Sequence, residues 1–247
     1  MLTTSLLLGL LATPALSMAT LAPGRLAARQ NLGSDTQNQF SSGGCKPMVI
    51  VFARGTTESG NVGTIVGPPV FQAVAAKVPG GAAKMAVQGV EYAADIPGFL
   101  AGGDKTGSKN MADLVAKATA QCADSGSQIV MMGYSQGCQL VHNAAKSLPA
   151  ATMAKVGAAV CFGDPNNGTA VQGVPAAKTL IVCHDNDNIC QHGSQIRQAH
   201  LTYGKLNAAD AADFLNKIMT AGASSAATVW RGVDRRGGKW AWLGPIT

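Results

Sequence analysis

Gly133-Tyr134-Ser135-Gln136-Gly137 follows the apolar run Gln128-Ile129-Val130-Met131-Met132 and precedes a helical stretch from Cys138 to Ser147. A serine at the centre of G-x-S-x-G, between a buried strand and a helix, occupies the sharp turn called a nucleophile elbow. The turn forces the serine into strained backbone angles and brings strand and helix so close that a side chain at 133 or 137 would collide with one of them. Ser135 is thereby lifted clear of the sheet. Its hydroxyl lies at a helix N-terminus, where aligned peptide dipoles favour the negative charge that develops during acyl transfer.

Apolar runs at 48–52, 86–90, 129–132, 156–162 and 179–182 are short and nearly continuous, as strands covered on both faces are. Helical patterns at 66–78, 111–121, 138–147 and 208–219 fall between and after them. Strand and helix in alternation predict an α/β fold: a three-layer, α/β-hydrolase-like sandwich around a parallel sheet of about five strands. Residues 31–220 are enough for one well-cored domain, and no internal repeat interrupts them.

A serine hydroxyl needs a base to take its proton and an acid to orient that base, and in this architecture the chain order is Ser, Asp or Glu, His. His184, His192 and His200 are the available bases, and Asp164, Asp185 and Asp187 the available acids. Spacing alone does not choose among them. His142, one and a half turns into the helix after Ser135, points away from the mouth of the sheet and reads as a surface or core histidine.

Four segments in order carry a resemblance: 53–61 (Ala-Arg-Gly-Thr-Thr-Glu-Ser-Gly-Asn), the Ser135 pentapeptide, Cys183-x-x-x-Asp187-x-x-Cys190, and His200-Leu201-Thr202-Tyr203-Gly204. From about Cys45 to Gly204 the chain resembles the fungal cutinase and acetylxylan esterase family. The resemblance implies a triad of Ser135, Asp187 and His200. The alternative is Asp185 as the acid with Asp187 as a turn former, and His184 and His192 are expected as surface residues flanking the disulfide loop. The same resemblance implies an oxyanion hole from the Gln136 amide and the hydroxyl and amide of Thr56, where threonine in place of serine keeps the donor and restricts its rotamer. It further implies disulfides Cys45–Cys122 and Cys183–Cys190, which leaves Cys138 with Cys161 by elimination. Closing the long first loop would contribute roughly 4 kcal/mol by the chain-entropy argument, while the short loop would hold the acid in position.

No cofactor and no metal are expected. A cluster of His184, Asp185, Asp187 and His192 is conceivable as a metal site, but cysteines of a secreted chain are oxidised rather than held as thiolate ligands. Residues 1–17 contain the run Leu6 to Ala12 and end Ala15-Leu16-Ser17, which reads as a signal peptide, and 18–30 as a propeptide or linker. A secreted protein with no transmembrane segment follows, and Asn167-Gly168-Thr169 becomes a glycosylation candidate.

The formal charge of +6 does not imply a nucleic-acid partner, because it sits at the ends. Arg25 and Arg29 lie in the leader, and the tail 221–247 carries four basic residues against Asp234. Between them stand thirteen basic and twelve acidic residues, a nearly neutral body. The basic tail, which contains Trp240-Ala241-Trp242-Leu243, reads as a flexible extension.

The expected partner of this monomer is a polyester or small ester, with plant cuticle or cell-wall polymer as its source. The resemblance implies that Leu201, and Ile196 beyond the second loop cysteine, flank the cleft, with the polar stretch Gln191 to Gln195 making that lip less apolar. Leu201 leans toward cutin-type polyesters and short to medium acyl chains, with acetylxylan as the alternative. A silent lipid- or carbohydrate-binding protein would require a damaged triad, and no member is missing.

Overall fold

Five strands form one sheet in the order β2-β1-β3-β4-β5, every neighbouring pair parallel. In the computed structural model, which describes residues 31–229, they are β1 (Met48–Ala53), β2 (Met85–Gly89), β3 (Gln128–Tyr134), β4 (Val156–Phe162) and β5 (Thr179–Val182). The helices are α1 (Gln39–Gly43), α2 (Gly67–Lys77), α3 (Ile96–Leu100), α4 (Lys105–Cys122), α5 (Gln136–Ser147), α6 (Ala150–Met153), α7 (Tyr203–Leu206) and α8 (Ala208–Val229). The leader and the last eighteen residues, on which the signal-peptide and Trp-rich tail expectations fall, lie outside the described residues.

Alternation along β1 builds both cores. Met48, Ile50 and Phe52 join the cluster under α2 and α8, whereas Val51 and Ala53 join the one under α4 and α5. Successive side chains of a strand point to opposite faces, so a strand covered on both sides reads as one apolar run. Phe71 of α2 meets Phe52 edge to face at 5.2 Å, fixing one helix against the sheet.

The disulfide Cys45–Cys122 ties the approach to β1 to the end of α4, and Cys183–Cys190 closes the loop after β5. The third expected pair is not formed. Cys138 and Cys161 are buried thiols, the first on the opening turn of α5 and the second on β4. The Cys138 Sγ donates to the Phe162 carbonyl at 3.4 Å, and burial holds its thiol well above the ordinary range. Disulfide formation proceeds through an accessible thiolate, and this interface supplies neither access nor ionisation.

Several elements differ from the sequence reading: α4 begins at Lys105 rather than 111, and the short helices α1, α6 and α7 were not expected. α8 continues to Val229, beyond the helical pattern expected at 208–219. α3 was not foreseen; Asp95 caps it by accepting from the Gly98 amide at 2.7 Å. Among the described residues no helix is long and apolar enough to cross a membrane.

Candidate active site

All parallel strands point one way, so the loops after β1, β3, β4 and β5 gather at one edge of the sheet, where open α/β folds place their sites. Ser135 stands between the end of β3 and the start of α5 with φ 55° and ψ −122°, a left-handed conformation that non-glycine residues rarely hold. Its flanking glycines permit this. A Cβ at Gly133 would lie 2.5 Å from the Gly137 carbonyl carbon, and one at Gly137 would lie 2.0 Å from the Ala53 oxygen.

His200 Nε2 is 2.9 Å from Ser135 Oγ, and His200 Nδ1 is 2.7 Å from Asp187 Oδ2. The carboxylate can only accept, so Nδ1 carries the proton of that bond and Nε2 turns a lone pair to the serine. Asp187 is fully buried yet well supplied: the Tyr203 hydroxyl donates to the same Oδ2 at 2.6 Å, and the Ile189 amide donates to Oδ1 at 3.0 Å. The Tyr203 hydroxyl in turn accepts from the His184 amide at 3.0 Å, which leaves its own proton for Asp187. Burial, reinforced by the bond to Asp187, raises the Tyr203 phenol far above its ordinary value and keeps it a donor. Tyr134 stacks on the His200 ring at 5.1 Å and donates its hydroxyl to the His200 carbonyl at 2.9 Å.

The loop carrying Thr56 is held from beneath. Glu58 accepts from the amides of Gly55, Thr64 and Ile65, each at 2.8 Å, and the buried Arg54 donates to the Glu58 and Tyr92 carbonyls. Gln136 Nε2 donates to Thr56 Oγ1 at 2.9 Å and to the Asp95 carbonyl at 2.9 Å. Because Thr56 Oγ1 accepts there, its proton is available to another oxygen. A rigid loop presenting an uncommitted donor beside the nucleophile can stabilise developing negative charge without reorganising.

A cavity of about 730 Å³ opens over Ser135 and His200. Leu201 and Ile196 line it and are 43% and 55% exposed. The opposite wall is Ile96, Phe99 and Leu100 of α3, with Ile96 59% and Leu100 68% exposed. Of the polar stretch 191–195 only Ser194 lines this cavity, and its polar side is made instead by residues 56–59 and Thr64. The signal for α3 was present as three large apolar residues in Ile96-Pro97-Gly98-Phe99-Leu100, a segment too short for periodicity to reveal.

The remaining candidates scatter. Asp185 is exposed, and Asp164 is buried against His142, whose Nε2 lies 2.9 Å from its Oδ2. His192 is exposed as expected, but His184 is half-buried: it stacks on Tyr203 at 4.1 Å, with Nδ1 2.9 Å from the Ala199 carbonyl and Nε2 2.8 Å from Asn207 Oδ1. Asn167 is half-buried and donates from Nδ2 to the Cys190 carbonyl at 3.3 Å.

A parallel sheet with a strained serine at a strand-to-helix turn and a histidine and buried carboxylate in line behind it defines an α/β-hydrolase-like fold. Residues 44–219 match the family model described as Cutinase. The chain is 55% identical over 174 residues to a cutinase of Monilinia fructicola, covering 70% of this chain and 84% of that one. It is 53% identical to a cutinase of Botryotinia fuckeliana, with 70% and 83% covered. A solved structure of Trichoderma reesei cutinase in complex with a phosphonate inhibitor superposes with a TM-score of 0.69 at 41% identity, over 76% of this chain and 81% of that one. The chain belongs to the cutinase family and is a carboxylic ester hydrolase.

Proposed function

We propose that the protein is a secreted esterase that cleaves cutin-type polyesters and short to medium acyl esters through a covalent acyl-enzyme. The observation that carries this reading is the continuous line Ser135 Oγ, His200 Nε2, His200 Nδ1, Asp187 Oδ2, with spacings of 2.9 and 2.7 Å, opening on a cavity whose rim carries Ile96, Leu100, Ile196 and Leu201. In this reading Ser135 attacks the ester carbonyl while His200 takes its proton. Asp187 keeps the imidazole in the required tautomer and stabilises the imidazolium. Thr56 and the Gln136 amide receive the oxyanion. His200 then returns the proton to the leaving alcohol, and water releases the acid by the same route.

Polyester cleavage requires a wide, apolar cleft at the surface, and Ile96, Leu100, Ile196 and Leu201 supply one. The named relatives are cutinases, which supports the same substrate class. Secretion is supported by the leader 1–17 and by the two disulfides, which form in oxidising compartments.

Ser135→Ala is expected to abolish labelling by an organophosphate and to lower kcat by several orders of magnitude; labelling that persists refutes the nucleophile. Cutin or a synthetic polyester is expected to be hydrolysed measurably and acetylated xylan poorly. A strong preference for the xylan would overturn the substrate while leaving the triad standing.

A further inference from the structure

His184 follows the first cysteine of the loop that carries the acid and precedes Asp187 by three residues. Its main chain holds that acid twice over. The His184 carbonyl accepts from the Asp187 amide at 2.9 Å, and the His184 amide donates at 3.0 Å to the Tyr203 hydroxyl, which supports Asp187 Oδ2. Its half-buried ring reaches the base instead. Nδ1 is 2.9 Å from the Ala199 carbonyl, which can only accept, so Nδ1 carries the proton of that bond. Nε2 lies 2.8 Å from Asn207 Oδ1, and the ring face stacks on Tyr203 at 4.1 Å with 20° between the planes.

The Ala199 carbonyl belongs to the peptide unit that joins Ala199 to His200. A peptide unit is planar, so holding both of its ends fixes where the next Cα stands. Its N–H is the His200 amide, which donates to the Arg197 carbonyl at 2.9 Å, and its oxygen receives His184 Nδ1 and the Thr202 hydroxyl, each at 2.9 Å. His200 itself stands on a single tight turn, Gln198–Leu201, whose hydrogen-bond geometry is poorer than that of an α-helix. The disulfide Cys183–Cys190 closes the acid's loop on itself and leaves the distance from that turn to non-covalent contacts. One residue thus grips the acid through its main chain and the base through its ring.

We propose that His184 is a positioning residue for ester hydrolysis: its ring sets the separation of Asp187 and His200 by tying the Ala199–His200 peptide to the loop that carries the acid. The inference rests on the triad reading and deepens it. The ring lies outside the cavity wall and bonds to none of the three reacting side chains, so it acts on the chemical step and leaves substrate binding alone.

The test measures kcat and KM for p-nitrophenyl butyrate per folded molecule, with the folded fraction read from urea unfolding. Substitution keeps the main-chain bonds and isolates the ring. His184→Leu, of similar bulk and without a donor, and His184→Ala, which demands less of the packing, are each expected to lower kcat about 10-fold with KM within about 2-fold, because small displacements of a positioned group are costly. His184→Asn carries an amide nitrogen at the place of Nδ1 and is expected to hold kcat within about 3-fold of the wild type by restoring that one bond. In an Asp187→Asn background, where the line is already broken, His184→Leu is expected to cost no more than about 3-fold. Loss of stability with kcat per folded molecule unchanged, a rise in KM alone, an Asn variant as slow as the other two, or an undiminished loss in the Asp187→Asn background overturns the assignment while the triad stands. A wild type that does not hydrolyse the ester overturns both.

Discussion

Removing the Tyr203 hydroxyl separates a catalytic contribution from a structural one. Tyr203 is fully buried, and its hydroxyl sits between the His184 amide, from which it accepts at 3.0 Å, and Asp187 Oδ2, to which it donates at 2.6 Å. Tyr203→Phe keeps the ring against His184, Tyr134 and Phe162 and deletes one oxygen. A hydrogen bond to a charged acceptor is worth about 1.5–3 kcal/mol, and the His184 amide is left unpaired only in a half-buried place. The expected loss of stability is therefore about 2–3 kcal/mol, read as a lower urea midpoint with an unchanged slope.

The catalytic effect is smaller and more specific. Oδ2 is the oxygen facing His200 Nδ1, so losing the Tyr203 donor leaves the carboxylate held only by the Ile189 amide on Oδ1 and by His200 itself, free to shift together with the ring. A misplacement of this kind at a positioned group costs one to two orders of magnitude in kcat, with KM little changed. The decisive assay is a double-mutant cycle on hydrolysis of p-nitrophenyl butyrate. In an Asp187→Asn background, where the carboxylate is already gone, Tyr203→Phe is expected to cost less than half of its wild-type effect. Full additivity, or an unchanged kcat beside a large loss of stability, would refute a role exerted through Asp187.

Asp187→Asn is expected to lower kcat by about 10⁴, as loss of the orienting carboxylate does in triads generally, whereas Asp185→Asn on the exposed side of the same loop is expected to be mild; the reverse ranking transfers the role. Thr56→Val, which keeps the shape and removes the hydroxyl, is expected to lower kcat by about 10²–10³, and rates within a factor of two of the wild type would remove its side chain from the oxyanion hole. Alkylation of the unreduced, denatured protein is expected to tag Cys138 and Cys161 and to spare the other four cysteines, as peptide mapping would read directly.

The parts of this protein legible in its sequence are those whose chemistry is enforced locally. The elbow could be read because Gly133 and Gly137 are excluded from bearing side chains by the turn itself, with would-be contacts of 2.5 and 2.0 Å. The strands could be read because burial on both faces leaves an unbroken apolar run, and the observed β4 and β5 have the expected bounds. What was not legible depends on groups that meet only after folding. Tyr203 and Asp187 are sixteen residues apart, and Arg54 reaches the Tyr92 carbonyl across thirty-eight. The Cys138 and Cys161 pairing failed for the same reason: adjacency and an even cysteine count are sequence-level facts, but oxidation depends on whether a thiolate can form and be reached, which is decided by burial.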